Sequence, residues 1–354
     1  MPYIWLDCDP GHDDAAAILL AIHCPNVQLL GVSTVHGNTD AEYTAVNAAR
    51  CLYAFSAETS VKVFPGASKP LLRPARHDAE IHGIDGLGGV KGFPHTDQEE
   101  VQARLSKGEP KYKAIDAIAR AIRDTWNGGA GSKVSIVATG PLTNIALFVS
   151  IYPELLDGVE QVVFMGGGVG VGNRSAVAEF NILCDPEAAQ IVLNTPVSKT
   201  MIPLNITHQA IVTNSIHTRL LSPSAVSGTE GRVEASSNLR HSLSTLILFF
   251  KETYRSTFGF EDGPPLHDAL TIAYISRPQL FTCKRYRTDV ELTGLHTTGQ
   301  TIVDIWDYRA SDDSWGTTGK NCNVAEGLDV AAFFEMFLEC VTRCDRVSPL
   351  NESN

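Results

Sequence analysis

The run Asp7-Cys8-Asp9-Pro10-Gly11-His12-Asp13-Asp14 places four carboxylates within eight residues, where the apolar segment Tyr3 to Cys8 gives way to a helical pattern beginning at Asp14. Four ionised carboxylates so close repel one another, and burial at a strand end makes their charged forms costlier still. A hard, oxygen-binding cation relieves both costs. An EF-hand loop is excluded, because His12 occupies the sixth position, where glycine is needed, and no closing Glu follows. Asp13 and Asp14 taken alone also suit the positive end of a helix, but that reading leaves Asp7 and Asp9 unexplained.

Other polar residues recur at expected strand ends. Asn38 follows the second strand in Val35-His36-Gly37-Asn38, and Thr139 follows Val134 to Ala138. Met165 closes a further strand and opens onto Gly166-Gly167-Gly168, followed by Asn173 and by Glu179-Phe180-Asn181. In an open α/β sheet, ligands bind outside the carboxyl ends of the strands, so these residues are expected at one rim. The glycine run fits no G-x-G-x-x-G register, and no phosphate-cradling G-x-x-x-x-G-K-[ST] occurs. Its glycines either turn the chain or let backbone approach a small ligand. His267-Asp268 stands just before another helical pattern. Neighbouring side chains diverge, so one can ligate a metal while the other faces substrate.

The elements that must carry these residues alternate in type. Apolar β-type runs at Tyr3 to Cys8, Val27 to Val35, Val134 to Ala138 and Gln161 to Met165 are followed by helical patterns at Asp14 to Cys24, Ala41 to Phe55, Leu142 to Tyr152 and Pro186 to Asn194. That alternation predicts an α/β fold, a single domain over residues 1–354 around a mostly parallel, Rossmann-like sheet with helices on both faces. A long helix is expected over Asn238 to Thr257 and a last one over Leu328 to Arg343. Residues 66–112 read as a long irregular segment, and 222–237 and 311–321 as surface insertions. The 28 Lys and Arg against 40 Asp and Glu give a net charge of −12, without the basic clusters that nucleic-acid binding requires. Apolar runs too short to span a bilayer, an acidic N-terminus unlike a signal peptide, and eight Cys without paired spacing predict a cytoplasmic protein with reduced thiols and no membrane partner.

On these blocks the chain resembles the inosine-uridine-preferring nucleoside hydrolases, the nonspecific ribonucleoside hydrolases. The acidic run is similar to the family's amino-terminal signature. His82-Gly83-Ile84-Asp85-Gly86-Leu87-Gly88-Gly89, Thr139-Gly140-Pro141-Leu142-Thr143-Asn144, Met165-Gly166-Gly167, Glu179-Phe180-Asn181 and His267-Asp268 resemble its later blocks in order. The resemblance implies a Ca²⁺ held by Asp9, Asp14, Asp268 and the main-chain carbonyl of Thr139. It further implies that Asp13, Asn38, Asn173, Glu179 and Asn181 hold the ribose, that Met165 lines the sugar pocket, and that His82 lies near the base. Asp9 would be the general base and His267 the general acid. A homodimer or homotetramer acting in purine and pyrimidine nucleoside salvage is implied as well. Tyr254 and Phe258, one helical turn apart, are candidates for contact with the base, or else core aromatics.

The chemistry expected is hydrolysis of the N-glycosidic bond of a ribonucleoside through an oxocarbenium-like sugar, with Ca²⁺ holding the ribose diol and the attacking water together. Two rivals share the acidic loop. In a haloacid-dehalogenase-like phosphatase the first Asp attacks phosphorus with Mg²⁺ assisting, and a non-catalytic protein would retain sugar or Ca²⁺ without turnover.

Overall fold

Strand β1 (Tyr3–Cys8) is almost wholly buried and feeds directly into the helix His12–His23, whose residues from His12 through Ala21 are all buried. A helix covered on every side shows little amphipathic alternation, and this one lies against Ala269–Ser276 and Val330–Asp345 in the middle of a helical layer. The computed structural model describes residues 1–106, 113–224 and 233–352. Among these described residues nine further strands follow: β2 (Gln28–Thr34), β3 (Val63–Pro65), β4 (Val134–Ala138), β5 (Val159–Met165), β6 (Lys199–Ile202), β7 (Phe281–Tyr286), β8 (Thr288–Val290), β9 (Thr301–Val303) and β10 (Cys322–Leu328).

Eight of these strands form one sheet in the order β3-β2-β1-β4-β5-β6-β10-β7, and β8 and β9 form a separate hairpin. Neighbours in the sheet are parallel except β10 and β7, which run antiparallel. The strand order reverses direction at β1, with β2 on one side and β4 on the other. Ligands in doubly wound sheets lie outside the carboxyl ends of the strands at such a switch point. The register sets Asp7 opposite Ser33 of β2 and Ala138 of β4, so the acidic loop and Thr139 leave the sheet side by side.

One apolar cluster joins the central helix to Ala41–Ala54, Ala269–Ser276 and Val330–Asp345, and the other packs Ala114–Trp126, Thr143–Ile151 and Pro186–Leu193 on the opposite face. Each fully buried Leu or Ile in these layers contributes roughly 1.5–3 kcal/mol relative to exposure. Helices on both faces and a mostly parallel sheet are as the alternating pattern predicts.

The long helix runs Asn238–Phe258 and the last one Val330–Asp345, close to expectation. The segment 66–106 is irregular apart from short helices at Ala79–His82 and Glu99–Gln102. Of the expected insertion 222–237, residues 225–232 lie outside the described residues. The 311–321 segment is a polar loop tied down by the buried Lys199 ammonium, which donates to the carbonyl of Trp315 at 2.7 Å. All eight thiols are free. Among the described residues no helix is long and apolar enough to cross a membrane.

Candidate active site

The acidic loop folds back on the start of its own helix. Asp14 Oδ2 accepts from the Gly11 N–H at 2.9 Å, as a helix-capping carboxylate does, and its Oδ1 accepts from the Thr139 hydroxyl at 2.7 Å. Asp14 therefore fills the structural role expected of a first-turn acid while facing the switch point. Its neighbours are less well satisfied. One oxygen each of Asp13, Asp14 and Asp268 lies within 4.8 Å of the others, and all three residues are buried. Asp9 stands beside this trio: Oδ2 accepts from the Asn38 N–H at 2.7 Å, while Oδ1 has no hydrogen-bond partner although it is buried. Asp13 Oδ1 is unpartnered in the same way.

Two glycines make room for Asp9. A Cβ on Gly37 would stand 1.9 Å from Asp9 Oδ2, and one on Gly140 2.5 Å from Oδ1, so no side chain fits at either position. Burial, reinforced by the neighbouring carboxylates, drives this cluster toward protonation. It pushes Asp14 up to about 6 and Asp13 up to about 8, and holds Asp9 and Asp268 well above the usual carboxylate range. Buried oxygens without partners, all-oxygen donors and mutual repulsion together fit a hard cation.

The groups that follow β4 and β5 close the floor of a pocket over these acids. Asn181 spends its amide N–H groups on the carbonyls of Thr139 (2.8 Å) and Met165 (3.2 Å), which leaves its Oδ1 as an acceptor. Asn173 does the converse, with Oδ1 accepting from the Phe180 N–H at 2.9 Å and its amide N–H groups left to donate. Glu179 caps the short helix Phe180–Cys184 and accepts from the backbone N–H groups of Asn181, Gly167 and Ile182. Burial nonetheless raises it to about 7 against those three donors. The glycine run thus turns the chain so that Gly167 N–H meets Glu179, and it carries no dinucleotide geometry.

At the other end of the pocket, His267 is buried and both ring nitrogens are engaged. Nδ1 lies 2.7 Å from the Thr207 hydroxyl and Nε2 lies 2.6 Å from the Tyr254 hydroxyl. Burial holds its pKa well below the usual imidazole range, so the ring is neutral, and burial likewise keeps Tyr254 protonated. His82 is buried beside it, its Nδ1 3.4 Å from His12 Nδ1 and its ring against Phe250.

One pocket collects Asp13, Asn38, His82, Thr139, Met165, Asn173, Glu179, Asn181, His267 and Asp268, together with Tyr254 and Phe258. Asp9 and Asp14 lie behind its floor. Sequence reasoning did not single out Asp78, Ile81, Arg174 and Phe180, which line the same pocket, or Thr207 beneath His267. Phe180 and Arg174 are each next to a residue that was identified. Asp78 and Ile81 sit in the irregular 66–106 segment without a motif to mark them.

A family model described as inosine-uridine preferring nucleoside hydrolase matches residues 4–335, and the chain belongs to that family. A probable ribonucleoside hydrolase of Dictyostelium discoideum is 36% identical over 349 residues, covering 96% of this chain and 94% of the relative. The inosine-uridine preferring nucleoside hydrolase of Leishmania major is 35% identical over 345 residues, 96% of this chain and 97% of the relative. The structure of a purine-preferring ribonucleoside hydrolase from Gardnerella vaginalis superposes with a TM-score of 0.81 at 27% identity, over 98% of this chain and 100% of that one. The protein is accordingly a hydrolase acting on N-glycosyl compounds. The phosphatase alternative falls with this family match; Asp7, which it would use as nucleophile, lies outside the pocket lining with Oδ1 held by Asn144 at 2.8 Å and by Ser33.

Proposed function

We propose that this enzyme hydrolyses ribonucleosides to ribose and free base with Ca²⁺ held at the acidic cluster. The observation that carries the reading is a pair of unpartnered buried oxygens, Asp13 Oδ1 on the pocket lining and Asp9 Oδ1 behind it, beside a pocket whose other polar groups suit a sugar. Asp9, Asp14, Asp268 and the Thr139 carbonyl would hold the ion, with Asp13 close enough to serve it or a ribose hydroxyl. A bound Ca²⁺ would supply the charge that neutralises these acids and draws the ribose diol and a water to the pocket floor.

The residues of the chain then divide the work. Asp9 Oδ1, free of hydrogen bonds and raised in basicity by burial, takes a proton from water as its oxygen bonds to C1′. Asn38, Asn173, Glu179 and Asn181 fix the ribose, and Met165 packs beside it, supplying the orientation on which displacement depends. Carboxylates beneath the ring stabilise the cationic sugar as the C1′–N bond breaks. The electron pair of that bond leaves with the base. Since His267 is neutral and its Nε2 shares a hydrogen bond with the Tyr254 hydroxyl, the Tyr254–His267 pair acts together as the proton donor to the base. The proton that the pair gives to the base is replaced, through solvent, by the one water left on Asp9. His82 lies at the same end, suited to contact the base.

Incubating the enzyme with inosine, uridine, cytidine and adenosine and resolving the products tests this reading. Free base and ribose in equal amounts are expected. Unchanged nucleosides with Ca²⁺ present would refute it.

A further inference from the structure

The pocket opens to solvent, and its free interior is about 40 Å³, so the segments around its mouth stand close together. Three segments meet there, and one side chain touches the other two. Arg174, next to the ribose-facing Asn173, sets Nε and Nη2 against the carboxylate of Asp78 at 3.1 and 2.6 Å, and its guanidinium lies 5.2 Å from the centroid of the Phe258 ring. Arg174 and Asp78 are largely buried, with side-chain exposures of 19% and 11%.

Asp78 is itself a fixed point. Its N–H donates to the Asn38 carbonyl at 3.1 Å, and its carbonyl accepts from the N–H groups of Ile81 and His82, both at 3.0 Å. The ion pair therefore ties the loop that presents His82 to the loop that presents Asn173. The stacked Phe258, beside Tyr254 at 5.1 Å between ring centroids, ties in the aromatic wall at the base end.

We propose that Arg174 is a positioning residue for nucleoside hydrolysis, clasping Asp78 and Phe258 across the pocket mouth so that His82, Asn173 and the aromatic wall close together on a bound nucleoside. The inference rests on the proposed function. A bidentate guanidinium–carboxylate pair on low-exposure surface is directional and outlasts a screened surface pair. Its contribution lies in holding substrate, and none of its atoms is required by the chemistry at C1′.

The test compares wild type, Arg174→Lys, Arg174→Gln, Asp78→Asn and the Arg174→Gln/Asp78→Asn double variant. Inosine and uridine kinetics are measured with Ca²⁺, and backbone amide exchange over 77–89 and 166–178 without substrate. The expected result is a KM raised at least tenfold in each of Arg174→Gln and Asp78→Asn, with kcat within about threefold of wild type. The double variant should be no worse than either single one, and Arg174→Lys should recover part of the loss. Amide exchange in both loops should rise in the variants. KM and exchange unchanged from wild type, or losses that multiply in the double variant, would overturn the clasp. So would a fall in kcat at unchanged KM. If wild type releases no ribose, the functional reading fails, and amide exchange alone decides the clasp.

Discussion

Asp9 Oδ1, His267 and His36 show how burial sets the chemistry of single residues. Asp9→Ala removes an unpartnered buried oxygen at the cluster, so loss of both Ca²⁺ binding and ribose release is expected. Tight binding by that variant in a calorimetric titration would contradict the ligand role. His267→Ala and Tyr254→Phe should each slow natural nucleosides by about 10²–10⁴, roughly 3 to 5 kcal/mol. Both should spare a riboside whose leaving group needs no proton, and equal losses on the two substrates would refute the donor role. His36 behaves differently. Fully buried, with Nε2 2.9 Å from the Thr143 hydroxyl, it is pushed down by burial from 6.5 to about 4. Below pH 6.5 the unfolded chain binds a proton that the folded chain refuses, so stability falls as pH drops from 6.5 toward 4. At pH 5 the loss from this one group is about 2 kcal/mol. Urea unfolding at pH 7 and pH 5 should show a smaller difference in His36→Gln than in wild type.

The elements that position the site differ in how openly the sequence displays them. β1, β2, β4 and β5 are compact apolar runs ending in polar residues, and they lead into Asp9, Asn38, Thr139 and Met165, so these positions could be expected at one rim of the sheet before any fold was known. β6 and β7 are harder to read. Lys199–Ile202 begins with a lysine that is buried yet satisfied by carbonyls, and Phe281–Tyr286 is an antiparallel edge strand with alternate residues in solvent. The helix Ala114–Trp126 follows a sequence, 66–112, without apolar periodicity, which hides its start from a reading of the sequence. Arg174 and Thr207 act through contacts 96 and 60 residues away in sequence, Asp78 and His267 respectively, and no local pattern announces such pairings. Asp185 joins three elements in the same manner. It caps Pro186–Leu193 through the Ala188 N–H and also accepts from the Leu71 N–H and the Thr143 hydroxyl. Asp185→Ala leaves those donors unmet, and a loss of roughly 2–4 kcal/mol in urea unfolding is expected.

For the whole molecule, the net charge of −12 takes on a local meaning. Asp9, Asp13, Asp14, Glu179 and Asp268 are buried at the switch point of the sheet, where they oppose folding unless protonated or neutralised. A cation bound only by the folded state stabilises it by about 2.7 kcal/mol at a hundredfold excess over its Kd. Chelation should therefore lower the thermal midpoint by several degrees, and Ca²⁺ should restore it.

The most direct test is ribose release from inosine and uridine by one preparation before chelation, after chelation, and during stepwise return of Ca²⁺. The expected course is release that vanishes with the chelator and returns to saturation as one Ca²⁺ per chain is bound. Undiminished release in the chelated enzyme, verified as metal-free, would contradict the proposal that a cation at Asp9, Asp14 and Asp268 is part of the site.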